Sequence, residues 1–329
     1  MRHPTLEDVA ARAGVSRALV SIVVRGAPGA SEATRQRVLS IADELGYRPD
    51  SRARLLAGRR SRLLGVTLTL NHPFHADLAE HIYSAAEQRG YEVVLSAVTS
   101  NRPPQKAIDT LLDYRCEAAI LAGALTREPE LTALGERLPV VVLGQRTRSQ
   151  AVDVVRTADT QGIRLAVDHL AELGHRAIVH VDGGRAPGSA ARRSAYRTAM
   201  HRRGLAEQAR VVPGGEAEED GAAAARELAD RTPPTAVLTY NDRCAVGLLD
   251  VFVRAGIAVP DDISVVGYDD SPVARLPHLR LTTVSQDAAQ LASLAVQRAI
   301  ARLEGGAVDA REVVLTPHLA VRGTTAPPR

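Results

Sequence analysis

Between Thr5 and Val24 the small and apolar residues fall at the spacing of two short helices joined by a glycine, and few folds accommodate that pattern. Leu6, Val9, Ala10 and Ala13 make one apolar stripe, and the small side chain of Ala10 lets a second helix cross closely. Gly14 is free to take the left-handed conformation that turns the chain, and Val15 can fill the angle between the helices. Ser16 then caps a second helix that turns Leu19, Val20 and Val23 inward and Arg17, Ala18, Ser21, Ile22 and Arg25 outward. This is a helix-turn-helix, in which the second helix enters a major groove and its N-terminal residues, here Arg17, reach base edges. A third amphipathic stretch over 31–45 opens on Ser31 as N-cap. It offers Val38, Leu39, Ala42 and Leu45 to a three-helix core before Gly46 stops it.

Charge supports the same reading. Residues 1–62 carry twelve arginines against six acids, a balance of +6 inside a chain of net charge +3, which leaves the remainder at −3. The basic charge is thus confined to the segment that would meet phosphates. At 329 residues and 45% hydrophobic content the chain is long enough for one or two further units with a sizeable core. It has no run of eighteen apolar residues and no hydrophobic leader, so a cytoplasmic protein away from membranes is expected. Cys116 and Cys244 lie far apart in apolar segments and read as buried free thiols, with neither a disulfide framework nor zinc spacing. No metal or cofactor is expected.

After Pro49 the stretch 50–58 is a short helix candidate, followed by Arg59, Arg60 and Arg62 before the texture changes. The expected organisation is a DNA-binding head over 1–49, a hinge helix and linker over 50–62 and a core over 63–329. In the core, apolar runs of strand length at 63–70, 93–97, 118–122, 140–143, 177–181, 236–240 and 264–267 alternate with amphipathic stretches. Helices are expected at 76–89, 159–173 with Asp159 as N-cap, 191–203, 242–255 with Asp242 as cap, and 287–303. The last strand is expected at 313–316. Alternation of this kind specifies an α/β core of parallel sheets covered by helices.

Taken in order, these stretches resemble the LacI/GalR (lactose-repressor) family of bacterial transcriptional regulators over essentially the whole chain. The resemblance rests on the helix-turn-helix and on the runs Gly46-Tyr-Arg-Pro49, Asn71-His-Pro-Phe74 and Arg89-Gly-Tyr91. It continues through 168–176, Arg193-Ser-Ala-Tyr196, Tyr240-Asn-Asp242, 259–270 and 281–287. It implies an all-α head and hinge helix followed by two Rossmann-like subdomains, similar to periplasmic sugar-binding proteins. It further implies a homodimeric repressor on pseudo-palindromic double-stranded operator DNA, with affinity altered by a small-molecule effector, a sugar or related polyol, bound between the subdomains. Arg17, Ala18 and Ile22 match the family's base-reading positions, Ser16, Ser21 and Arg25 its mainly phosphate-facing ones, and Thr5 is a further DNA-contacting position. Leu56 matches the leucine that wedges into the minor groove at the operator centre, with Ala53 the small residue beside it. Leu19, Ile22 and Arg25 depart from the residues frequent in relatives, so the operator need not be a relative's.

Ligands of open parallel sheets collect beyond the carboxyl ends of the strands. Asn71 and Phe74 follow the first core strand, and Phe74 could form an apolar wall. By the resemblance Arg193, Asn241 and Asp269 match ligand-contact positions, where a guanidinium and a carboxylate could share sugar hydroxyls. The alternative roles are pairing with a neighbouring acid for Arg193 and capping of a turn for Asp269. Glu216 stands where relatives often carry a stacking aromatic, and the chain has no tryptophan. His72 and His75 read as loop-surface residues rather than metal ligands. An enzyme is not expected: the segment 183–189 has the glycines of a phosphate loop without its lysine, and no nucleophile, acid and base cluster together. The alternatives are a solute-binding receptor without DNA specificity and a regulator answering to a nucleoside.

Overall fold

The computed structural model describes residues 4–24, 26–47, 60–123, 126–229, 234–306 and 310–329. The chain divides into two compact units, Met1–Ser61 and Arg62–Arg329. The expected helix over 50–58 lies outside the described residues.

The first unit contains α1 (Leu6–Ala13), α2 (Arg17–Val24) and α3 (Glu32–Glu44). Thr5 and Asp8 form a capping box at the start of α1, and Gly14 ends it at φ 65°, a conformation open to glycine at little cost. The Leu19 amide donates to Ser16 Oγ at 3.2 Å, and the Thr34 amide to Ser31 Oγ at 3.3 Å, so both serines cap as expected. Val9, Ala10, Ala13, Val20, Val23, Val38 and Ala42 form the buried core. Two expectations are corrected. Leu39 is exposed and Ile41 packs instead, while Leu19 is half-buried outside the cluster and Val24 joins it. Arg35 donates to the carbonyls of Val23 and Ala27, tying α3 to the end of α2.

The second unit holds two six-stranded sheets. The first consists of β1 (Leu63–Thr69), β2 (Glu92–Val98), β3 (Ala118–Ala122), β4 (Val140–Leu143), β5 (Asp153–Thr157) and β11 (Glu312–Leu315). Its order is β11-β5-β4-β3-β1-β2, parallel throughout. It is covered by α4 (Pro73–Glu87) and α11 (Ala288–Leu303) on one face and by α5 (Pro104–Asp113) and α6 (Glu128–Gly135) on the other. The second consists of β6 (Ile178–Val181), β7 (Arg210–Val212), β8 (Ala236–Thr239), β9 (Ser264–Asp269), β10 (Thr282–Ser285) and β12 (His318–Ala320). Its order is β12-β10-β9-β8-β6-β7, with only β12 antiparallel. α7 (Asp159–Glu172) and α8 (Ser189–Arg202) cover one face, α9 (Glu218–Ala229) and α10 (Asp242–Arg254) the other.

The expected parallel α/β core is therefore present, built from more elements than the sequence displays. β5, β7, β10 and β12 and helices α5, α6 and α9 were not anticipated, and β12 follows the strand expected to be last. Three connections cross between the sheets, from β5 to α7, from β10 to α11 and from β11 to β12. Each enters the other half at the amino end of a covering helix or of antiparallel β12, which lies at the carboxyl edge of the parallel strands, so the carboxyl edges of both sheets face one junction. Among the described residues no helix is long and apolar enough to cross a membrane.

Candidate nucleic-acid interface and ligand cleft

On the head, Arg17 and Ala18 open α2 and are exposed, as is Ser16 before them. Ser21 and Ile22 lie one turn further on and are half-buried. The exposed start of the helix thus carries two of the three expected base-reading side chains, Arg17 and Ala18. Arg17 Nη1 lies 3.0 Å from Glu7 Oε1 on α1. Thr5 is half-buried and its hydroxyl is engaged with Asp8. Arg25, Ala53 and Leu56 lie outside the described residues.

At the junction of the core the central group is Arg192, a residue passed over in the sequence. Its Nε donates to Asp159 Oδ1 at 3.0 Å and its Nη1 to the Tyr240 carbonyl at 2.8 Å. Its Cζ lies 3.6 Å from the centre of the Tyr268 ring and 4.9 Å from that of Tyr240. Tyr268 Oη donates to the same Asp159 oxygen at 3.2 Å, and Tyr240 Oη to the Pro187 carbonyl at 2.6 Å. Gly183 makes the placement of Tyr240 possible, because a Cβ there would lie 2.3 Å from the ring. Burial disfavours the Arg192 charge, but Asp159, Tyr268, Tyr240 and Asp269 together raise its pKa above the ordinary arginine value.

Arg193, one position on, is only partly buried and pairs with Asp182, whose other oxygen accepts from Ser189 Oγ at 2.5 Å. The buried residues of α8 are Ser189, Arg192, Ala195, Tyr196, Ala199 and Met200. That three-and-four spacing was the signal in the sequence that would have selected Arg192 over Arg193.

Asp269 is buried at the end of β9 at φ 118°, and accepts from Gln286 Nε2 at 2.7 Å. Burial raises its pKa. Gln286 sits in the β10–α11 crossover, and its carbonyl accepts at 3.3 Å from Thr157 Oγ1 at the end of β5, where the β5–α7 crossover begins. The Asp269 carboxyl is thereby joined to two of the three connections between sheets. Asn241 is the N-cap of α10: its Oδ1 accepts from the Cys244 amide at 2.8 Å and its Nδ2 donates to the Glu216 carbonyl at 3.0 Å. Glu216 is half-buried beside it.

Several sequence expectations are corrected here. Phe74 is not a wall of the junction: it is 5% exposed and belongs to the hydrophobic core between α4 and the first sheet. Asp242 does not cap its helix. It is buried as the first residue of α10, where it accepts from the Ser271 amide at 2.7 Å and from Thr283 Oγ1 at 2.6 Å. Asp159 likewise lies inside α7, whose N-cap is Ala158, which frees its carboxylate for Arg192. Asn71 takes φ 60° in the exposed turn after β1.

Nor are the two histidines simple surface groups. Their rings stack with centroids 4.2 Å apart, and His75 Nδ1 accepts from the Thr69 amide at 3.2 Å. Burial, together with the nearby charges of His75, Arg243 and Arg192, lowers the His72 pKa to about 2. Arg275, in the turn after β9, spans the junction, 3.9 Å from Asp77 on α4 and 3.5 Å from Asp270.

Five guanidiniums around this junction are matched by carboxylates: Arg192 with Asp159, Arg193 with Asp182, Arg243 with Glu218, and Arg275 and Arg322 with Asp270. Among the described residues, Asp269 and Glu216 have no such ion-pair partner.

Residues 5–50 match the family described as bacterial regulatory proteins, lacI family, and residues 167–325 match the periplasmic binding protein-like domain. A CelR–cellobiose complex is 30% identical, over 98% of this chain and 99% of that one, with a TM-score of 0.71. This chain belongs to the LacI family of bacterial transcriptional regulators. Other members share the fold closely. The crystal structure of a LacI transcriptional regulator from a Rhodococcus species is 52% identical, covering 80% of this chain and 98% of that one, with a TM-score of 0.78. A lac repressor dimer bound to operator and the anti-inducer ONPF is 29% identical, over 99% of this chain and 100% of that one, with a TM-score of 0.85. This LacI-family chain thus has both parts of the fold, a helix-turn-helix head and a two-sheet periplasmic-binding-protein-like core.

Proposed function

We propose that this regulator acts as a cytoplasmic homodimeric repressor on a pseudo-palindromic operator, and that an uncharged polyhydroxylated effector, a sugar or polyol, binds at the core junction. The operator-bound lac repressor dimer and the CelR–cellobiose complex support the two halves of this reading. Thr5, Ser16, Arg17, Ala18, Ser21 and Ile22 would face the duplex, Arg17 pairing with a guanine edge for about 1 to 3 kcal/mol of discrimination. Arg25, Ala53 and Leu56 complete the DNA-contacting set.

The observation that carries the effector class is the pairing of charges. Because Arg192, Arg193, Arg243, Arg275 and Arg322 already face carboxylates, a phosphorylated or carboxylated ligand taking any of them would have to break an ion pair and approach Asp269 and Glu216. Hydroxyls meet no such conflict: Asp269 and Glu216 accept from them, and Asn71, Asn241 and Arg192 surround the same space, with Arg192 in the role first given to Arg193. A ligand at Asp269 reaches Gln286 and so the crossovers, which biases the relative arrangement of the two halves and through it the hinge.

The test is a thermal-shift screen of the intact protein with neutral mono- and disaccharides, polyols and nucleosides, each sugar alongside its phosphate ester. Every stabilising compound is then assayed for its effect on DNA binding. Stabilisation by a neutral sugar and not by its phosphate, with altered DNA affinity, is expected. Preference for the phosphate, or for a nucleoside alone, would reject the effector class.

A further inference from the structure

We propose that Glu7 is a positioning residue for base recognition: by holding Arg17, it makes the head selective at the expense of general affinity for DNA. This inference rests on the DNA-reading function proposed above and names a residue that function does not include. Glu7 is the second residue of α1 and Arg17 the first of α2, and the turn through Gly14 brings Glu7 Oε1 to 3.0 Å from Arg17 Nη1. The two side chains are 59% and 68% exposed. A pair so exposed contributes little to the stability of the fold, so its geometry calls for another reason.

Electrostatics sharpens the point. In a unit with an excess of arginine, an acid on the face that approaches phosphates weakens binding to every sequence alike. Asp8, its neighbour, serves the capping box with Thr5; Glu7 has no part in that cap. Its contact is with the one exposed cation at the start of the recognition helix.

Arg17 carries five N–H donors on a planar fork, and Glu7 engages one end of it. The remaining edge can meet guanine O6 and N7. A free arginine loses rotamer freedom when it docks and can turn to a phosphate instead, whereas one already held by a carboxylate has less freedom to lose and is kept from the backbone. The structure thus points to Glu7 as the residue that turns Arg17 from a general phosphate binder into a base reader.

The experiment is selection of duplexes from a random pool by the intact protein, followed by affinity measurement on the selected site, its single-base variants and unrelated DNA. Wild type is compared with Glu7→Gln, Glu7→Ala, Arg17→Ala and the Glu7→Ala/Arg17→Ala double variant. Glu7→Gln keeps the size of the side chain and guards against a folding defect in Glu7→Ala. The expected result is that both Glu7 variants bind unrelated DNA more tightly and flatten base preference at the pair that Arg17→Ala also flattens. The loss should be roughly 3- to 10-fold, a part of the about 5- to 150-fold available to an arginine–guanine contact. The double variant should be no flatter there than Arg17→Ala. Unchanged preference in the Glu7 variants, equal losses on selected and unrelated DNA, or flattening at a different base pair would each overturn the role of Glu7. If wild type itself enriches no sequence, the DNA-reading function fails, and this inference with it.

Discussion

Replacing Arg192 by alanine leaves the Tyr240 carbonyl without its donor and leaves Asp159, with 15% of its side chain exposed, with the Tyr268 hydroxyl but no cation. Removal of one partner from a buried pair costs about 3 to 5 kcal/mol. Arg193→Ala removes a pair whose arginine is 34% exposed and leaves Asp182 the Ser189 hydroxyl, so it should cost less than Arg192→Ala; urea denaturation of the two variants separates them. His180 makes a second test. Its Nδ1–H donates to the Leu238 carbonyl at 3.0 Å, its Nε2 is buried without a partner, and burial lowers its pKa to about 4. Above pH 6.5 the ring is neutral whether the chain is folded or not. Below that, the unfolded chain takes up a proton that the folded one refuses, so this group's contribution falls progressively from pH 6.5 towards 4. The full difference is about 3 kcal/mol. Wild type should lose that amount relative to His180→Asn between these pH values; a pH-independent gap between the two would contradict the burial of the ring.

Among the elements of the head, the caps were the most legible feature, whereas Asp159 and Asp242 in the core are not caps. Ser16, Ser31 and Gly14 each act within one turn of chain and do what their residue types imply. Ser31→Ala should destabilise the head by about 1 kcal/mol, read as earlier loss of head helicity on heating, since it removes the acceptor of the Thr34 amide. The elements missed have identifiable causes. α5 and α6 carry prolines in their first turns, which read locally as loop but suit a helix start. β5 contains Asp153 and Arg156, and looks too charged for a central buried strand. In the fold Asp153 meets Arg298 and Arg302 from α11, and Arg156 meets Glu312 of β11. Those partners lie about 150 residues away in sequence, beyond the reach of any periodicity.

The whole molecule divides its charge between a basic head segment and an acidic remainder. Raising salt from 50 to 200 mM should therefore lower affinity for any duplex steeply, with a log–log slope of roughly −0.9 for each phosphate neutralised. A neutral sugar bound at the core junction should show almost no salt dependence over the same range. Titrations of DNA and of a stabilising sugar at several salt concentrations check both. A steep salt dependence of the sugar would mean that the junction binds an ion, against the pairing of its arginines.

From its residues alone the chain declared a helix-turn-helix with its caps, a confined basic charge and an alternating α/β core, because each depends on neighbours within a few residues or on composition. The family runs also led to the correct ends of strands for Asn241 and Asp269. Only the tertiary structure decided which side chains meet there. It turned Phe74 into the core, made Asp242 a buried acceptor rather than a cap, and chose Arg192 over Arg193. A helix passes such choices through its phase against a sheet, and an ion pair such as Arg192 with Asp159 joins residues 33 positions apart. Burial and pairing of charge are set by packing between distant segments, and local sequence carries no record of that distance.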